Sequence, residues 1–161
     1  MIRIFVTGGT FDKEYDEITG KLYFKDTHVQ EMLRLGRCSL KYEVSTLMMI
    51  DSLDMKDSDR EKILKNVQGA KEKHIVITHG TDTMAVTARI LGPVIRDQTV
   101  ILTGAMVPYK FGSSDGLFNL GSALAFSQTL SPGVYVAMNG RALPWDNVEK
   151  DRKTGLFHAI H

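Results

Sequence analysis

Residues 76–88 read VITHGTDTMAVTA, in which a strand pattern runs directly into a helical pattern. The run His74–Thr78 is rich in branched apolar residues, which predicts a buried strand. A helical pattern follows at once over Asp82–Leu91 and stops at Gly92-Pro93. A strand that alternates with a helix in this way predicts a parallel sheet covered by helices on both faces.

The same alternation extends outward through the chain. Further strands are predicted at Ile2–Val6, Tyr42–Leu47, Thr99–Leu102 and Val134–Met138, and further helices at Thr27–Leu35, Ser58–Gly69 and Gly116–Thr129. We therefore predict an α/β fold of three layers, with a doubly wound, mostly parallel sheet in the flavodoxin-like strand order 2-1-3-4-5.

Two local features refine this prediction. Asp57-Ser58 stands before an apolar periodic run, and Glu61 follows Ser58 by three residues, which is the pattern of a capping box. Residues 151–161 carry no periodic pattern and are expected to leave the domain as a tail.

Composition limits the functions open to the protein. The 161 residues are 43% hydrophobic and 24% charged, with a formal net charge of +1, which is ordinary for one soluble domain. That charge offers no field to attract nucleic acid or an acidic membrane, and no apolar run is long enough for a membrane span. The single cysteine, Cys38, suits a reducing compartment, so we expect a cytoplasmic protein.

Polar residues follow every predicted strand at its carboxyl end, where open parallel sheets bind their ligands. These segments are Thr7-Gly8-Gly9-Thr10, Ile50–Asp54, His79–Thr83, Thr103–Met106 and Asn139-Gly140-Arg141. Their convergence predicts a binding site at this edge. The familiar phosphate-binding motifs are absent and the five histidines have no metal-ligand spacing, so we predict neither a nucleotide nor a metal.

The residue types leave two interpretations of this edge open. Asp82 or Thr83 could simply cap a helix, with the other polar residues forming turns. Alternatively, a threonine acts as a nucleophile or activates water, which requires a neighbouring base such as a lysine held by an aspartate. That second set of groups suits acyl transfer from an amide or hydrolysis through an activated water.

Five stretches of the sequence resemble the bacterial-type L-asparaginases, also called the asparaginase/glutaminase family. They are VTGGTF (6–11), MIDSLDM (49–55), VITHGTDTM (76–84), ILTGAMVP (101–108) and SSDGLFNL (113–120). The resemblance spans residue 2 to about residue 157. It implies an amidohydrolase that converts L-asparagine to L-aspartate and ammonia, as a homo-oligomer (dimer or tetramer) without metal or organic cofactor. A glutaminase or related amidase, and a non-catalytic amino-acid-binding module or amidotransferase component, are the alternatives.

The resemblance also implies catalytic roles. Thr10 would attack the side-chain amide carbonyl and form an acyl-enzyme, while Thr81 would be tied to Lys150 and Asp82 would hold the α-amino group of the substrate. The family uses a tyrosine from a mobile loop to activate the nucleophile. Tyr15 and Tyr23 both lie in the corresponding segment, and we choose Tyr15 because it is closer to Thr10 in the chain.

The remaining substrate contacts follow from the same resemblance. They are Gly9, Asp51, Ser52, Gly80 and Ala105, in addition to Thr81 and Asp82. The sequence departs from the family at Leu53, where the family has a glutamine that contacts the substrate, so weaker substrate binding is expected. It also stops where the family's C-terminal domain would begin, so we expect one N-terminal-like domain over 1–161, as a short family member or as part of a longer chain.

Overall fold

The computed structural model describes all residues from 1 to 161, with ten strands and four α-helices. In chain order the elements are β1 (Ile2–Gly8), β2 (Lys13–Asp16), β3 (Lys21–Phe24), α1 (Val29–Leu35), β4 (Tyr42–Ile50), α2 (Asp57–Gly69), β5 (His74–Thr78), α3 (Met84–Leu91), β6 (Thr99–Thr103), α4 (Gly116–Thr129), β7 (Gly133–Met138), β8 (Arg141–Pro144), β9 (Glu149–Lys150) and β10 (Phe157–His158). Short 3-10 helices lie at Thr10–Asp12 and Tyr109–Phe111.

Six of the strands form one sheet in the order β4-β1-β5-β6-β7-β8. The first five strands are parallel, and β8 pairs antiparallel with β7 at the edge. The predicted doubly wound sheet of order 2-1-3-4-5 is therefore confirmed. The added strand β8 is short and follows β7 through a two-residue turn at Asn139-Gly140, both with positive φ.

Helices cover both faces of the sheet, which explains why the central strands carry consecutive apolar residues. Along β5, Ile75 and Ile77 pack with α2 and α3 on one face, whereas Val76 packs with α1 and α4 on the other. Successive side chains of a strand point to opposite faces, so two-sided burial requires a continuous apolar run. No helix of the chain is long and apolar enough to cross a membrane.

The predicted capping box of α2 lies two residues too late in the chain. The helix begins at Asp57, and the backbone N–H of Lys56 donates to the carboxylate of Asp59 at 2.8 Å. Ser58 already lies inside the first turn, so neither it nor Glu61 caps the helix. The three acidic residues near this end all suit a helix N-terminus, which is why sequence alone did not identify the capping residue.

The C-terminal segment 151–161 was expected to be a tail, and the structure instead folds it back onto the domain. Strand β10 pairs antiparallel with β9, and Phe157, with 3% of its surface exposed, packs into the core. The backbone N–H of Phe157 donates to Asn139 Oδ1 at 3.1 Å, and those of Ile160 and His161 donate to Asn147 Oδ1. A two-residue strand anchored by one aromatic side chain has no periodic signal in the sequence.

This anchoring predicts that alanine substitutions at two adjacent positions have very different effects on the stability of the protein. Phe157→Ala should lower the free energy of unfolding by about 3–5 kcal/mol, because a buried ring is replaced by a cavity. The matched control Leu156→Ala removes a side chain that is 53% exposed, and should change stability by less than about 0.5 kcal/mol. Urea unfolding followed by circular dichroism compares the two, and equal midpoints would contradict the observed docking of this segment.

Candidate functional site

The loops after β1, β4 and β5 meet in direct backbone contact at the carboxyl edge of the sheet. A Cβ atom on Gly9 would lie 2.5 Å from the Cα of Gly80, and one on Gly80 would lie 2.6 Å from the Cβ of Ser52. The N–H of Gly9 also donates to the carbonyl of Ile50 at 2.9 Å. Glycine is required at both positions because any side chain would separate the loops. The predicted convergence of Gly9, Ser52 and Gly80 is therefore a feature of the structure.

Thr10 lies directly after this contact and opens the first 3-10 turn. Its side chain is half-buried, and its hydroxyl makes no hydrogen bond within the protein. The preceding Gly9 has φ of 77° and ψ of −179°, a conformation that only glycine adopts readily. The strand end thus presents the Thr10 hydroxyl free to react with a bound molecule.

Three predicted residues form one connected group beside this loop. The amine of Lys150 donates to Thr81 Oγ1 at 2.8 Å and to Asp82 Oδ1 at 2.9 Å. Thr81 is buried, and only 11% of the Lys150 side chain is exposed. The Thr81 hydroxyl donates in turn toward Met106 Sδ at 3.6 Å. A hydroxyl, an amine and a carboxylate in this order can move a proton between the hydroxyl and the amine.

Lys150 reaches the group because the hairpin of β9 and β10 is fixed in the core. Val148, just before β9, is fully buried, and its carbonyl accepts a hydrogen bond from Arg89 of α3 at 2.9 Å. Phe157 of β10 is the strand partner of Lys150. Lys150 stands in a run of charged residues, and its low exposure distinguishes it from the exposed Glu149, Arg152 and Lys153.

Two further groups at the site are free to bind a ligand. Asp82 Oδ2 has no hydrogen-bond partner, although Oδ1 of the same carboxylate is held by Lys150. Ala105 is buried after β6, and its backbone amide and carbonyl make no hydrogen bond within the protein. Buried backbone groups are normally paired, so these positions suit contacts from a polar ligand.

The contacts of Thr83 exclude the helix-capping interpretation of the loop after β5. It stands at the N-cap position of α3, but neither its side chain nor that of Asp82 caps the helix. Instead the Thr83 hydroxyl donates to the carbonyl of Ser52 at 2.8 Å, and its N–H donates to Ser52 Oγ at 3.3 Å. Thr83 therefore joins two loops of the site, and Ser52 is buried with its hydroxyl already partly used.

Asp51 is bound to the protein itself in this structure. Its carboxylate forms an ion pair with Lys13 of β2 and accepts a hydrogen bond from the N–H of Leu53 at 3.1 Å. The hydrogen bond from Lys13 holds the pKa of Asp51 below its usual range. Leu53 has 62% of its surface exposed at the rim of the site. Asp51 is thus placed at the site edge as predicted, with Lys13 as its partner.

The segment predicted to be a mobile loop forms the hairpin of β2 and β3. Tyr15 is 53% exposed on this hairpin, and its ring meets that of Phe111 edge-on at 6.4 Å. Its hydroxyl lies 3.9 Å from the position of a Cβ on Gly20 at the hairpin turn, so the structure does not bring it to Thr10. The pKa of Tyr23 on the same hairpin is raised, mainly by the neighbouring Glu14 carboxylate.

The neck of this hairpin is closed by a buried carboxylate next to the Thr10 loop. Asp12 Oδ1 accepts hydrogen bonds from the N–H of His28 at 2.8 Å and from the hydroxyl of Thr27 at 3.2 Å. Burial raises the pKa of Asp12 to about 6, with these hydrogen bonds opposing the change. The residues that flank the hairpin are therefore tied together immediately beside Thr10.

A buried polar network beneath the site was not predicted from the sequence. Arg60 of α2 donates to Thr83 Oγ1 at 3.0 Å, to the carbonyl of Met55 at 3.0 Å and to Thr87 Oγ1 at 3.2 Å. His79 Nδ1 donates to the carbonyl of Gly80, and Nε2 accepts from Thr87, both at 2.8 Å. One signal was available: Arg60 shares a helical face with the buried Ile63 and Val67, at spacing i, i+3, i+7.

His79 supports the loop as a neutral side chain. Complete burial lowers the pKa of His79 to about 4, and the nearby positive charge of Arg60 acts in the same direction. An imidazole in this state keeps a fixed hydrogen-bond pattern at neutral pH. Its partners are inside the protein, so His79 holds the loop that carries Thr81 and is not directed at a ligand.

The network predicts that Arg60 stabilises the site through hydrogen bonds. Arg60→Met keeps the length of the side chain but leaves buried acceptors unpaired, and should lower the free energy of unfolding by about 2–4 kcal/mol. Arg34→Met, at an exposed position of α1 without an ion pair, is the control and should change stability by less than about 0.5 kcal/mol. Chemical denaturation measures both, and a stability loss below about 1 kcal/mol for Arg60→Met would contradict this role.

The functional groups of the site are the hydroxyls of Thr10 and Thr81, the amine of Lys150 and the carboxylate of Asp82. No group of three or more His, Cys, Asp or Glu side chains is arranged to hold a metal ion. A free hydroxyl at Thr10 and a proton-transfer group at Thr81 and Lys150 are the parts needed for covalent attack and for activation of water.

Several known proteins are similar to this chain in sequence and in fold. Residues 1–159 match the family described as asparaginase, N-terminal. The chain is 33% identical over 162 residues to an L-asparaginase of Thermococcus kodakarensis, covering 96% of this chain and 49% of that protein. The solved structure of the Thermococcus kodakarensis thermostable L-asparaginase superposes with a TM-score of 0.87 at 32% identity, over 99% of this chain and 51% of the other.

Two other relatives are a probable periplasmic L-asparaginase and a subunit of an amidotransferase. A probable periplasmic L-asparaginase of Haemophilus influenzae is 38% identical over 172 residues, covering 98% of this chain and 49% of that protein. One of the subunits of glutamyl-tRNA(Gln) amidotransferase from Methanococcus vannielii is 32% identical over 150 residues, covering 86% of this chain and 34% of the other. The chain thus spans about half the length, or less, of the curated relatives it matches.

Proposed function

Because the chain belongs to the asparaginase family, we propose that it hydrolyses L-asparagine to L-aspartate and ammonia, with Thr10 as the nucleophile. The observation that carries the proposal is the amine of Lys150 held between Thr81 Oγ1 and Asp82 Oδ1. The close contacts of Gly9 and Gly80 already hold the loops of this edge together. The fold therefore does not need Lys150 for that purpose, although the lysine comes from a separate hairpin to contact the buried Thr81. Residues 1–161 would correspond to the N-terminal domain of the family.

In the proposed first step, Thr10 Oγ1 attacks the carbon of the side-chain amide. The C–O bond forms as the C–N bond breaks, the hydroxyl proton passes to the leaving nitrogen, and ammonia departs. Tyr15 is the proposed carrier of that proton, which requires the hairpin of β2 and β3 to move its hydroxyl toward Thr10. The free backbone groups of Ala105 are suited to hold the amide during the attack.

In the proposed second step, water hydrolyses the ester on Thr10. Thr81 and Lys150 take a proton from the water as it attacks the acyl carbon, and the proton returns to Thr10 as its ester bond breaks. Asp82 has two tasks in this scheme. One oxygen holds Lys150, and the other, which is free in the structure, binds the α-amino group of the substrate.

Substrate binding by the single chain should be weak. Leu53 has no polar group to offer at the position where the family uses glutamine, and one lost hydrogen bond costs about 0.5–1.5 kcal/mol when water can replace it. The proposal favours asparagine over glutamine only modestly, because one methylene changes pocket binding by about 1–3 kcal/mol. A glutaminase or related amidase is the nearest alternative activity.

A function without independent turnover is the second candidate. The similarity to an amidotransferase component favours it, as does the exposed Leu53. In that case the chain would bind an amino acid, or would work only as a component of a larger amidotransferase. The free Thr10 hydroxyl and the contact between Lys150 and Thr81 favour catalysis.

The test is ammonia release from the purified chain, with L-asparagine and L-glutamine assayed separately up to tens of millimolar. The proposal expects turnover of asparagine, with a high KM. If neither amide is hydrolysed while the folded chain still binds L-aspartate, the binding function is correct and the amidohydrolase proposal is wrong.

We further propose that the protein is a homo-oligomer, a dimer or a tetramer, in the cytoplasm. Sedimentation of the active protein as a monomer would contradict this assembly.

A further inference from the structure

A cavity of about 390 Å³ opens directly beside the group formed by Lys150 and Asp82. Its walls include these two residues on one side and Arg152, Lys153 and Thr154 on the other. Lys150 and Asp82 contribute an amine and a carboxylate 2.9 Å apart, and Arg152 and Lys153 add two cations to the walls. A second cavity of about 500 Å³ adjoins it and shares Lys150, Arg152 and Lys153.

The two cations have no partners in the protein. Neither Arg152 nor Lys153 lies within ion-pair distance of a carboxylate, and neither side chain makes a hydrogen bond. The carboxylate of the adjacent Asp151 is used inside the turn, where it accepts the N–H of Lys153 at 2.8 Å. These backbone contacts hold the pKa of Asp151 below its usual range. The turn therefore leaves its positive charges available at the cavity.

The turn is a fixed wall of the site. The N–H of Gly155 donates to the carbonyl of Asp151 at 2.7 Å, and Gly155 has φ of 73°. A Cβ on Gly155 would lie 2.8 Å from Cε of Met106, the residue that accepts the hydroxyl of Thr81. The cations are thus carried by a turn that packs against the residues of the proposed reaction.

We propose that Arg152 and Lys153 form an anion-binding subsite for a carboxylate or phosphate group that the substrate carries beyond its amide. This inference rests on the proposed function, because it takes Asp82 as the group that binds the substrate's α-nitrogen. A substituent on that nitrogen extends from Asp82 into the cavity, and two unpaired cations at its far wall attract an anion. The site would then accept, besides L-asparagine, an asparagine amide whose α-nitrogen bears an anionic acyl group and donates its remaining N–H to Asp82.

The test compares two ligands of nearly equal shape by isothermal titration calorimetry. N-succinyl-L-aspartate carries an extra carboxylate, whereas N-butanoyl-L-aspartate has a methyl group in its place. The wild-type chain should bind the succinyl ligand roughly tenfold more tightly, which corresponds to about 1.4 kcal/mol. The double variant R152Q/K153Q should lose this preference. The control K71Q/K73Q removes two exposed cations next to β5 at the opposite edge of the sheet and should keep it.

The remaining outcomes overturn the subsite. Equal affinity for the two ligands, or a preference that survives in R152Q/K153Q, would contradict it, and so would failure of both ligands to bind. Inorganic phosphate should compete with the succinyl ligand on the wild type and not on the variant. If phosphate binds but the succinyl ligand has no advantage, the cations take a free anion instead. Because both ligands resemble products, the result does not depend on turnover, so the subsite and the amidohydrolase proposal can fail separately.

Discussion

Thr10→Ala is expected to abolish ammonia release from L-asparagine, with a fall in kcat of roughly 10⁴-fold or more. The change removes the only atom that can form the ester, since alanine has no nucleophile. The Thr10 hydroxyl makes no hydrogen bond within the protein, so its loss leaves no buried partner unsatisfied. Stability and L-aspartate binding should therefore stay close to those of the wild type, as measured by urea unfolding and calorimetry.

The matched control for this prediction is Thr129→Ala. Thr129 lies at the exposed C-terminal end of α4, where its hydroxyl donates to the carbonyl of Ala125 one turn earlier. This variant removes the same atoms far from the site and should retain the activity of the parent chain. If Thr10→Ala releases ammonia at the parent rate, Thr10 is not the nucleophile.

Lys150→Met is expected to lower kcat by roughly 10²–10⁴-fold, which is the usual contribution of a positioned proton-transfer group. Methionine keeps the length of the side chain and removes the amine that joins Thr81 to Asp82. Thr81 then has no group to accept its proton, so hydrolysis of the acyl-enzyme should be the step most slowed. The partly exposed Asp82 loses its ion-pair partner, and we expect a stability loss of about 1 kcal/mol or less.

Steady-state and pre-steady-state ammonia release distinguish the steps. If deacylation is slowed most, Lys150→Met should release a first equivalent of ammonia faster than it turns over. The control Lys73→Met changes an exposed lysine at the start of β5, away from the site, and should leave both phases unchanged. A kcat for Lys150→Met within about threefold of the wild type would exclude the proposed role of this amine.

The sequence predicted the sheet well because its signals are local and repeated. Apolar runs such as Ile75–Ile77 are typical of strands that helices cover on both faces, and such runs recur in all five parallel strands with helical patterns between them. The α4 bounds, Gly116–Thr129, agreed for the same reason. The antiparallel edge strand β8 was missed, because four residues ending in a proline give no strand pattern.

The position of the C-terminal hairpin could not be predicted from local signals. Its docking depends on Phe157 and on side-chain amides of Asn139 and Asn147, contacts that join residues 13–18 positions apart. The same limitation applies to Arg60, whose three partners lie in the loop after β4 and at the start of α3. The association of Lys150 with Thr81, in contrast, came from resemblance to the family, and residue spacing alone did not require it.

Detection of the acyl-enzyme shows whether Thr10 is the nucleophile. The chain is mixed with L-asparagine, quenched in acid within milliseconds to seconds, digested and analysed by mass spectrometry, with Lys150→Met used to slow hydrolysis of the ester. We predict an aspartyl adduct on the peptide that contains Thr10, located on Thr10 by fragmentation and absent from Thr10→Ala. Ammonia release without any adduct on Thr10, or an adduct on another residue, would contradict the account.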